Sequence, residues 1–272
     1  MESLQYQTLL VQGDSSRARV RLFDYNRCLV DMSSFEVEPT LTVLMVDATC
    51  SMGALLDKTR ETLTTMFAHI TRLTKEEGKN ANFQVQICAY RNYNVRADQL
   101  LQKSDFSPDP SYLVNFLSGV QIAGGWGDEA IEVGLQHVNS LIEAGLNISQ
   151  VILIGDAPAQ SEEESERKRE SQYGESYWES TQFAKMAKYE EEKSRIVSSD
   201  VPVHAFYLKE RAKTCFESLA SSTNGLAAEL DVNHPESATT LTDLVCRKLA
   251  AAIDPDLERK YMEKFAGGRA FE

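Results

Sequence analysis

Oxygen-bearing side chains gather in three short loops of this sequence, and their types are those that bind hard cations. In chain order they are Asp47, Thr49, Ser51, Asp128 and Asp156. An all-oxygen set without imidazole or thiolate suits Mg²⁺, Mn²⁺ or Ca²⁺ better than zinc. The sequence therefore predicts a divalent-cation site, with these five residues as candidate ligands.

The spacing within the first loop supports the same interpretation. In Asp47-x-Thr49-x-Ser51 the three side chains leave alternate positions of a turning chain, so they can converge on one point. The loop also opens a predicted helix, whose N-terminal dipole favours anions and water oxygens. Because few carboxylates contact the ion, it stays electron-poor. An open coordination position can then accept an Asp or Glu from a partner.

Apolar runs before these loops predict the strands that position them. Residues 41–46 are continuously apolar and end at Asp47, and residues 151–154 form a second run that ends before Asp156. Runs that are apolar on both faces are typical of central parallel strands. Further strands are predicted at residues 83–90, 201–208 and 226–230, and helices at residues 53–73, 112–117, 129–144, 216–223 and 238–253.

Strands that alternate with helices predict an α/β fold, a doubly wound, mainly parallel sheet flanked by helices. Ligands of such sheets bind outside the carboxyl ends of the strands, which is where the three loops lie. We assign residues 40–253 to this domain, with a polar loop at residues 94–110. Residues 254–272 are predicted to form a charged C-terminal tail.

Residues 1–39 are predicted to form a β-strand appendage packed on the main domain. Arg17, Arg19 and Arg21 alternate with apolar residues, which is the period-two pattern of a strand. Two interpretations remain open. The basic face binds an acidic partner, or it is a solvated edge that prevents strand-to-strand aggregation.

Residues 161–199 are strongly charged, and we expect a loop followed by a long helix over residues 177–197. The segment leaves the sheet directly after Asp156, so its start must lie near the metal face. Tyr177 and Trp178 are candidate partner anchors if the segment acts as a lid or specificity loop. The alternative is a solvated helix whose aromatic side chains pack on the domain.

At these residues the sequence resembles a von Willebrand factor A (vWA) domain with a metal-ion-dependent adhesion site. That site combines Asp-x-Ser/Thr-x-Ser, a Thr or acidic residue on a second loop, and an Asp after a later strand. Asp47, Thr49 and Ser51 match the first element, and Asp156 matches the last. The resemblance implies that Thr49 and Ser51 touch the metal directly, while Asp47 and Asp156 act partly through water. The first loop also resembles that of vWA domains linked to atypical alpha-kinases.

The second loop departs from the family pattern. Many vWA domains place a Thr just after a Gly-Gly pair, whereas here the pair is followed by Trp126. A subset of stand-alone intracellular vWA proteins carries Gly-Gly-Gly-Asp-x-Pro-Glu-Ala at this point, and Glu129 falls on its Glu. Asp128 is therefore a candidate substitute ligand, and Trp126 is a candidate for partner contact.

Composition and charge narrow the classes of partner. The 272 residues include 41 Asp and Glu against 28 Lys and Arg, a formal net charge of −13. That balance argues against nucleic acids and anionic membranes, because both require a positive surface. No apolar run approaches the roughly 18 residues of a membrane span, and no secretory signal is recognisable. Five scattered cysteines without a CxxC pattern favour a reducing, cytoplasmic location.

These features lead to one main functional hypothesis and two alternatives. The main hypothesis is a non-enzymatic module for protein–protein interaction, in which a bound divalent cation accepts a partner carboxylate. The first alternative is a metal-dependent hydrolase or phosphoryl-transfer enzyme with Asp128 or Glu129 as the base. The second is a scaffold whose metal site is vestigial because of Trp126. The oligomeric state is not indicated.

Overall fold

A six-stranded sheet forms the centre of the computed structural model, which describes residues 38–79, 82–230 and 237–265. Its strands are β1 (Thr40–Asp47), β2 (Phe83–Tyr90), β3 (Leu101–Lys103), β4 (Ile148–Gly155), β5 (Val203–Tyr207) and β6 (Ala227–Glu229). Their order is β3-β2-β1-β4-β5-β6, with β3 antiparallel to β2 and the other pairs parallel. This order confirms the predicted doubly wound, mainly parallel α/β sheet.

Helices cover both faces of the sheet. They are α1 (Gly53–Glu76), α2 (Ala97–Leu100), α3 (Pro110–Gly119), α4 (Ile131–Glu143), α5 (Glu162–Gln172), α6 (Glu175–Glu179), α7 (Tyr189–Ser198), α8 (Glu210–Ser222), α9 (Ser237–Ile253) and α10 (Pro255–Lys264). Among these described helices, none has both the length and the apolar character needed to cross a membrane. The predicted appendage at residues 1–39 lies, up to residue 37, outside the described part of the chain.

Alternate residues of β1 face opposite helical layers, which explains the continuous apolar run. Leu44 and Val46 belong to a core shared with α1, α3, α9 and α10. Val43 and Met45 belong to a second core shared with α4, α7 and α8. All four side chains are buried. Because the strand is buried on both faces, polar and apolar residues do not alternate along its sequence.

The strand order reverses between β1 and β4. From β1 the chain moves outward to β2 and β3, and from β4 it moves outward to β5 and β6 on the other side. In open α/β sheets, the crevice at the carboxyl ends of the strands at such a reversal is where ligands bind. β1 ends at Asp47, and Asp156 directly follows β4. The fold therefore brings the two predicted aspartates to this crevice.

The segment predicted as a polar loop at residues 94–110 contains α2 and the edge strand β3. Leu100 is fully buried, and its carbonyl accepts the backbone N–H of Arg91 at 3.0 Å, which ties the segment to the end of β2. A strand of three residues is too short to show a period in the sequence. The prediction of an irregular loop is wrong for this reason.

The charged segment at residues 161–199 folds as three helices rather than as a loop and one long helix. Ser161 begins α5, because its hydroxyl accepts the N–H of Glu164 at 3.1 Å. Between α6 and α7 the chain curves around the buried guanidinium of Arg169, whose Nη1 donates to the carbonyl of Phe183 at 2.8 Å. That carbonyl serves a side chain instead of a helical N–H, so the predicted helix over residues 177–197 is wrong.

Part of the predicted C-terminal tail is also ordered, as helix α10. Asp254 caps this helix by accepting the N–H of Asp256 at 3.0 Å, and Pro255 occupies its first turn. Leu257 and Tyr261 are fully buried in the core beside α1 and α9. The prediction of a charged tail is therefore corrected for residues 255–264, and residues 266–272 lie outside the described part.

Candidate metal centre

Asp47 and Asp156 lie side by side at the carboxyl edge of the sheet. Asp47 is the last residue of β1, and Asp156 directly follows β4, the parallel neighbour of β1. Both side chains are almost completely buried. Gly155 allows the two strand ends to approach. A β-carbon at Gly155 would lie 2.5 Å from the Tyr90 hydroxyl and 3.5 Å from Cβ of Asp47. A larger residue has no room here in a close-packed interior.

The first loop brings two hydroxyl groups to the same place. The backbone N–H of Thr49 donates to Oδ1 of Asp47 at 2.8 Å, which fixes the turn after β1. Oγ1 of Thr49 then lies 3.4 Å from Oγ of Ser51. Thr49 is fully buried and Ser51 is exposed, so the pair of hydroxyls runs from the interior to solvent. The loop continues through a 3₁₀ turn, Cys50–Met52, into α1.

Buried oxygens at this edge lack hydrogen-bond partners among the described residues. They are Oδ2 of Asp47, Oδ1 of Asp156, Oε2 of Glu129 and the hydroxyl of Tyr90. A buried polar atom left without a partner costs about 1–3 kcal/mol, more if it is charged. A cation bound among these oxygens would therefore be stabilised by groups that otherwise remain unsatisfied.

Burial and mutual repulsion both disfavour the charged forms of the carboxyl groups at this edge. Burial raises the pKa of Asp47 to about 7, against hydrogen bonds from Thr49, and the charge of Asp156 raises it further. Burial likewise raises the pKa of Glu129 to about 9, and Asp47 and Asp156 add to the increase. Burial and the same three carboxylates raise the pKa of the Tyr90 phenol. Each carboxylate thus opposes ionisation of its neighbours.

Two cationic side chains from the start of α8 reach Asp156. Nζ of Lys209 donates to Oδ2 of Asp156 at 2.6 Å. Arg211 donates from Nε to the backbone carbonyl of Asp156 and from Nη2 to that of Gly127, both at 3.2 Å. Its Nη2 lies 3.8 Å from Oδ1 of Asp156. Sequence reasoning missed both residues, since they are far along the chain and follow a different strand, β5.

The second loop packs directly against the first. Gly124, Gly125 and Gly127 have positive φ, and a β-carbon on Gly125 would lie 2.9 Å from Cβ of Thr49. The carbonyl of Gly124 accepts the backbone N–H of Cys50 at 3.3 Å. This path leaves Trp126 71% exposed at the rim of the site. The tryptophan predicted as a partner contact is thus accessible to a partner.

Asp128 and Glu129 have different surroundings. The carboxyl pKa of Asp128 is raised by partial burial and by Glu164, and lowered by Arg211 and Lys168, so it faces the charged segment. Glu129 is instead coupled to the two aspartates, as its raised pKa shows. The structure therefore groups Glu129 with the aspartates. In the sequence, the feature that could have indicated this grouping was the match of Glu129 to the Glu of the Gly-Gly-Gly-Asp-x-Pro-Glu-Ala pattern.

Tyr177 and Trp178 are held by the domain. Trp178 is fully buried, with Nε1 donating to the carbonyl of Arg169 at 3.3 Å and its ring at 5.3 Å from that of Tyr93. The hydroxyl of Tyr177 accepts the backbone N–H of Ala97 at 3.0 Å. The expectation that Trp178 anchors a partner is corrected by this burial, and the alternative of packed aromatics describes the segment.

The donor set fits a hard divalent cation. In the described ranges, no group of three or more His, Cys, Asp and Glu side chains is arranged to hold a metal ion by itself. The candidate set differs because it combines two aspartates, Asp47 and Asp156, with the hydroxyls of Thr49 and Ser51. Its orphaned carboxylate oxygens and absence of imidazole and thiolate match the ligand preferences of Mg²⁺ and Mn²⁺.

Comparisons with known proteins give no family assignment. No protein-family model matches the chain, and no curated protein matches it. Among solved structures, a von Willebrand factor type A protein from Catenulispora acidiphila matches with a TM-score of 0.49 and 11% identity. The match covers 78% of this chain and 43% of that one, so this chain spans less than half of its length.

A second solved structure contains three N-terminal domains of the type V pili tip protein Mfa5 from Porphyromonas gingivalis. It matches with a TM-score of 0.32 and 19% identity, over 44% of this chain and 20% of that one. Neither similarity bears on function. The α/β fold stands on the strand order and pairing described above.

Proposed function

We propose that this protein is a non-enzymatic protein-binding module of the vWA type, whose interaction depends on a divalent cation held at the carboxyl edge of the sheet. The observation that carries the proposal is the convergence of Asp47, Thr49, Ser51 and Asp156 at the β1–β4 reversal, where buried carboxylate oxygens have no hydrogen-bond partner among the described residues. Oxygen ligands at such a crevice are what an adhesion-type site requires.

Each residue of the set has a distinct part in the proposal. The hydroxyls of Thr49 and Ser51 would hold the ion, and Asp47 and Asp156 would balance its charge. A bound Mg²⁺ would supply an open coordination position for a carboxylate oxygen. Because Ser51 is exposed while Thr49 and both aspartates are buried, that position would face solvent on the Ser51 side.

The surface around the site supports a protein partner. Trp126 is 71% exposed and Ile122 is 41% exposed, and both belong to the segment that lies against the first loop. Tryptophan is enriched among the residues that dominate binding energy at protein interfaces. Lys209 and Arg211 add positive charge on the α8 side. A partner that offers an acidic residue beside an apolar one would be complementary to this surface.

The histidines of the described residues support a non-enzymatic role. They are His69, His137 and His204, and each bonds a residue away from the metal edge, on α10, on β2 and just before β6 respectively. A hydrolase using the carboxylates alone would need Asp128 or Glu129 as its base. Asp128 faces Lys168 and Arg211, and burial raises the pKa of Glu129, which disfavours the ionised form that a base requires.

Paramagnetic Mn²⁺ locates the proposed site directly. In ¹⁵N-labelled protein, substoichiometric Mn²⁺ should broaden the amide signals of Thr49, Ser51 and Gly125 before those of remote residues. Asp47→Asn should abolish the selective broadening, because the amide keeps an acceptor for the Thr49 N–H but loses the charge. Uniform weak broadening over the acidic surface in both proteins would contradict the proposal.

The partner side is tested by a chelator-controlled pull-down. Wild-type protein with Mg²⁺ should retain a partner that is released by chelator and is not retained by Asp47→Asn or Trp126→Ala. Asp98→Asn is a matched control, because Asp98 is an exposed carboxylate paired with exposed Arg96 at 3.3 Å. Partners that bind equally with chelator and to Asp47→Asn would refute cation-dependent recognition.

A further inference from the structure

Lys209 stands out because its ammonium group forms an ion pair with a proposed metal-balancing residue. Its Nζ lies 2.6 Å from Oδ2 of Asp156, and the Asp156 side chain is 1% exposed while that of Lys209 is 52% exposed. One partner of the pair is therefore fixed in the interior, and the other comes from solvent. A charge-assisted bond of this length is among the stronger hydrogen bonds in proteins.

The Lys209 side chain is held by fewer contacts than its neighbour Arg211. It extends from the residue that caps α8, in extended backbone, and its flexible four-carbon stem is half exposed. Arg211 differs, because two of its nitrogens are held by the backbone carbonyls of Asp156 and Gly127. Of the two cations from α8, Lys209 is thus the one that the structure leaves free to move.

Lys209 and a divalent cation would compete for the same negative charge. Nζ of Lys209 lies 2.6 Å from Oδ2 of Asp156, so it neutralises a carboxylate that would otherwise balance the charge of the ion. The ammonium of Lys209 supplies that neutralisation from the α8 side. An ion held by the first loop would place a double positive charge close to the ammonium, and like charges that close repel each other.

We propose that Lys209 is a tethered competitor of the metal, which pairs with Asp156 when no ion is bound and is displaced into solvent when one binds. This inference rests on the proposed metal site and deepens it. The site then has two exclusive states, and the apparent metal affinity is reduced by the fraction of molecules in the Lys209-paired state. Once displaced, Lys209 lies at the rim beside Arg211, where a partner carboxylate would meet it.

The first test is the Mg²⁺ affinity of Lys209→Met. If the ion pair forms in roughly nine molecules of ten, removing the ammonium should lower the Kd for Mg²⁺ by about tenfold. Lys213→Met is the matched control, because it changes the net charge equally. Lys213 also lies on α8, is 39% exposed and pairs with Glu210 at 3.2 Å, away from Asp156. If both variants change the Kd for Mg²⁺ equally, the change reflects only the overall charge, and the proposal is overturned.

The second test follows the amine itself. Acylation of lysines in the wild-type protein, quantified by mass spectrometry, should show Lys209 labelled several-fold faster with saturating Mg²⁺ than without it. Labelling of Lys213 should stay constant. Unchanged Lys209 labelling in protein that binds Mg²⁺ would overturn the proposal, because the ammonium would then not be displaced.

The outcomes separate this inference from the proposed function. Binding of Mg²⁺ to the wild type and to Lys209→Met with equal affinity overturns the competition and leaves the metal site intact. Binding to Lys209→Met alone supports the competition in its strongest form, with the wild-type site closed by its own lysine. Binding to neither protein refutes the metal site, and the competition with it.

Discussion

At the scale of single residues, Gly155 controls how closely the two aspartate loops approach. A methyl group there would lie 2.5 Å from the Tyr90 hydroxyl and 3.2 Å from Cζ of Phe216. We predict that Gly155→Ala lowers the free energy of unfolding by about 1–3 kcal/mol, as overpacking of a close-packed core does. Urea unfolding measures the loss.

Tyr90→Phe is the matched second change for Gly155→Ala. It removes the hydroxyl that the new methyl group would meet, and this hydroxyl is buried without a partner among the described residues. The double variant should therefore recover part of the lost stability, while Tyr90→Phe alone should be nearly neutral. Additive losses in the double variant would show that the clash is not with Tyr90.

The hydroxyl of Thr49 is predicted to be a metal ligand. Thr49→Val keeps the N–H bond to Asp47 and removes the hydroxyl, which lies 3.4 Å from Oγ of Ser51 and also bonds the Asp47 carboxyl. We expect at least a tenfold higher Kd for Mg²⁺, about 1.4 kcal/mol. Thr65→Val on α1, whose hydroxyl bonds the carbonyl of Glu61, is the control. If Thr49→Val binds Mg²⁺ with unchanged affinity, the Thr49 hydroxyl is not a metal ligand.

Because of His204 on β5, we expect the free energy of unfolding to decrease as the pH falls. Burial lowers its pKa from 6.5 to about 4, and its Nδ1 accepts the N–H of Leu226 at 3.0 Å. The unfolded chain therefore takes up the proton first, so this stabilisation is complete above pH 6.5 and is lost as the pH falls towards 4.

We predict that His204→Asn, which keeps an acceptor for Leu226, flattens the acid dependence. Between pH 7 and pH 4.5 the wild type should lose about 2 kcal/mol more stability than the variant. Urea unfolding at several pH values measures the difference. Parallel pH profiles of the two proteins would show that His204 titrates normally in the folded state.

At the scale of elements, Arg169 organises the charged segment between β4 and β5. Its guanidinium is fully buried, lies 5.5 Å from the ring centre of Tyr93 and 5.3 Å from that of Trp178, and donates to the carbonyl of Phe183. It also pairs with Glu175. Helices α5 and α6 and the stretch that leads to α7 thus share one buried cation in place of a continuous apolar stripe.

We predict that Arg169→Met loosens this segment while the sheet stays folded. The loss of the carbonyl hydrogen bonds and ring contacts should cost about 2–4 kcal/mol locally. In a Trp126→Phe background Trp178 is the remaining tryptophan, and its emission should shift to the red. Limited proteolysis should then cut within residues 173–188.

Arg167→Met is the control for Arg169→Met, because Arg167 is exposed on the same helix. It should leave both the emission and the proteolysis pattern unchanged. Equal behaviour of the two variants would mean that the segment is held by other contacts.

The elements that the sequence predicted well are those whose pattern reflects burial on both sides. β1 and β4 were recognisable as continuous apolar runs, since each packs between two helical layers, whereas β2 was recognisable from its alternation. The charged segment was not, because a buried arginine looks like a surface residue in a sequence. The three residues of β3 were too few to show a period.

At the scale of the whole molecule, the fold unites loops that are 109 positions apart in the chain, Asp47 and Asp156. The order of predicted strands was enough to expect this, because β1 and β4 flank the reversal of the sheet. The cations from α8 were not predictable, since their approach depends on how α8 sits at the end of β5. The grouping of Glu129 with the aspartates required the coordinates of the second loop.

The most direct test of the account is calorimetric titration of Mg²⁺ into the wild type, Asp47→Asn and Asp98→Asn. We expect saturable binding of one ion in the wild type and in Asp98→Asn, and none in Asp47→Asn. If the wild type shows no binding, Lys209→Met decides between a site closed by its own lysine and no site at all. Absence of binding in every variant, or equal binding in Asp47→Asn, would refute the proposed cation site.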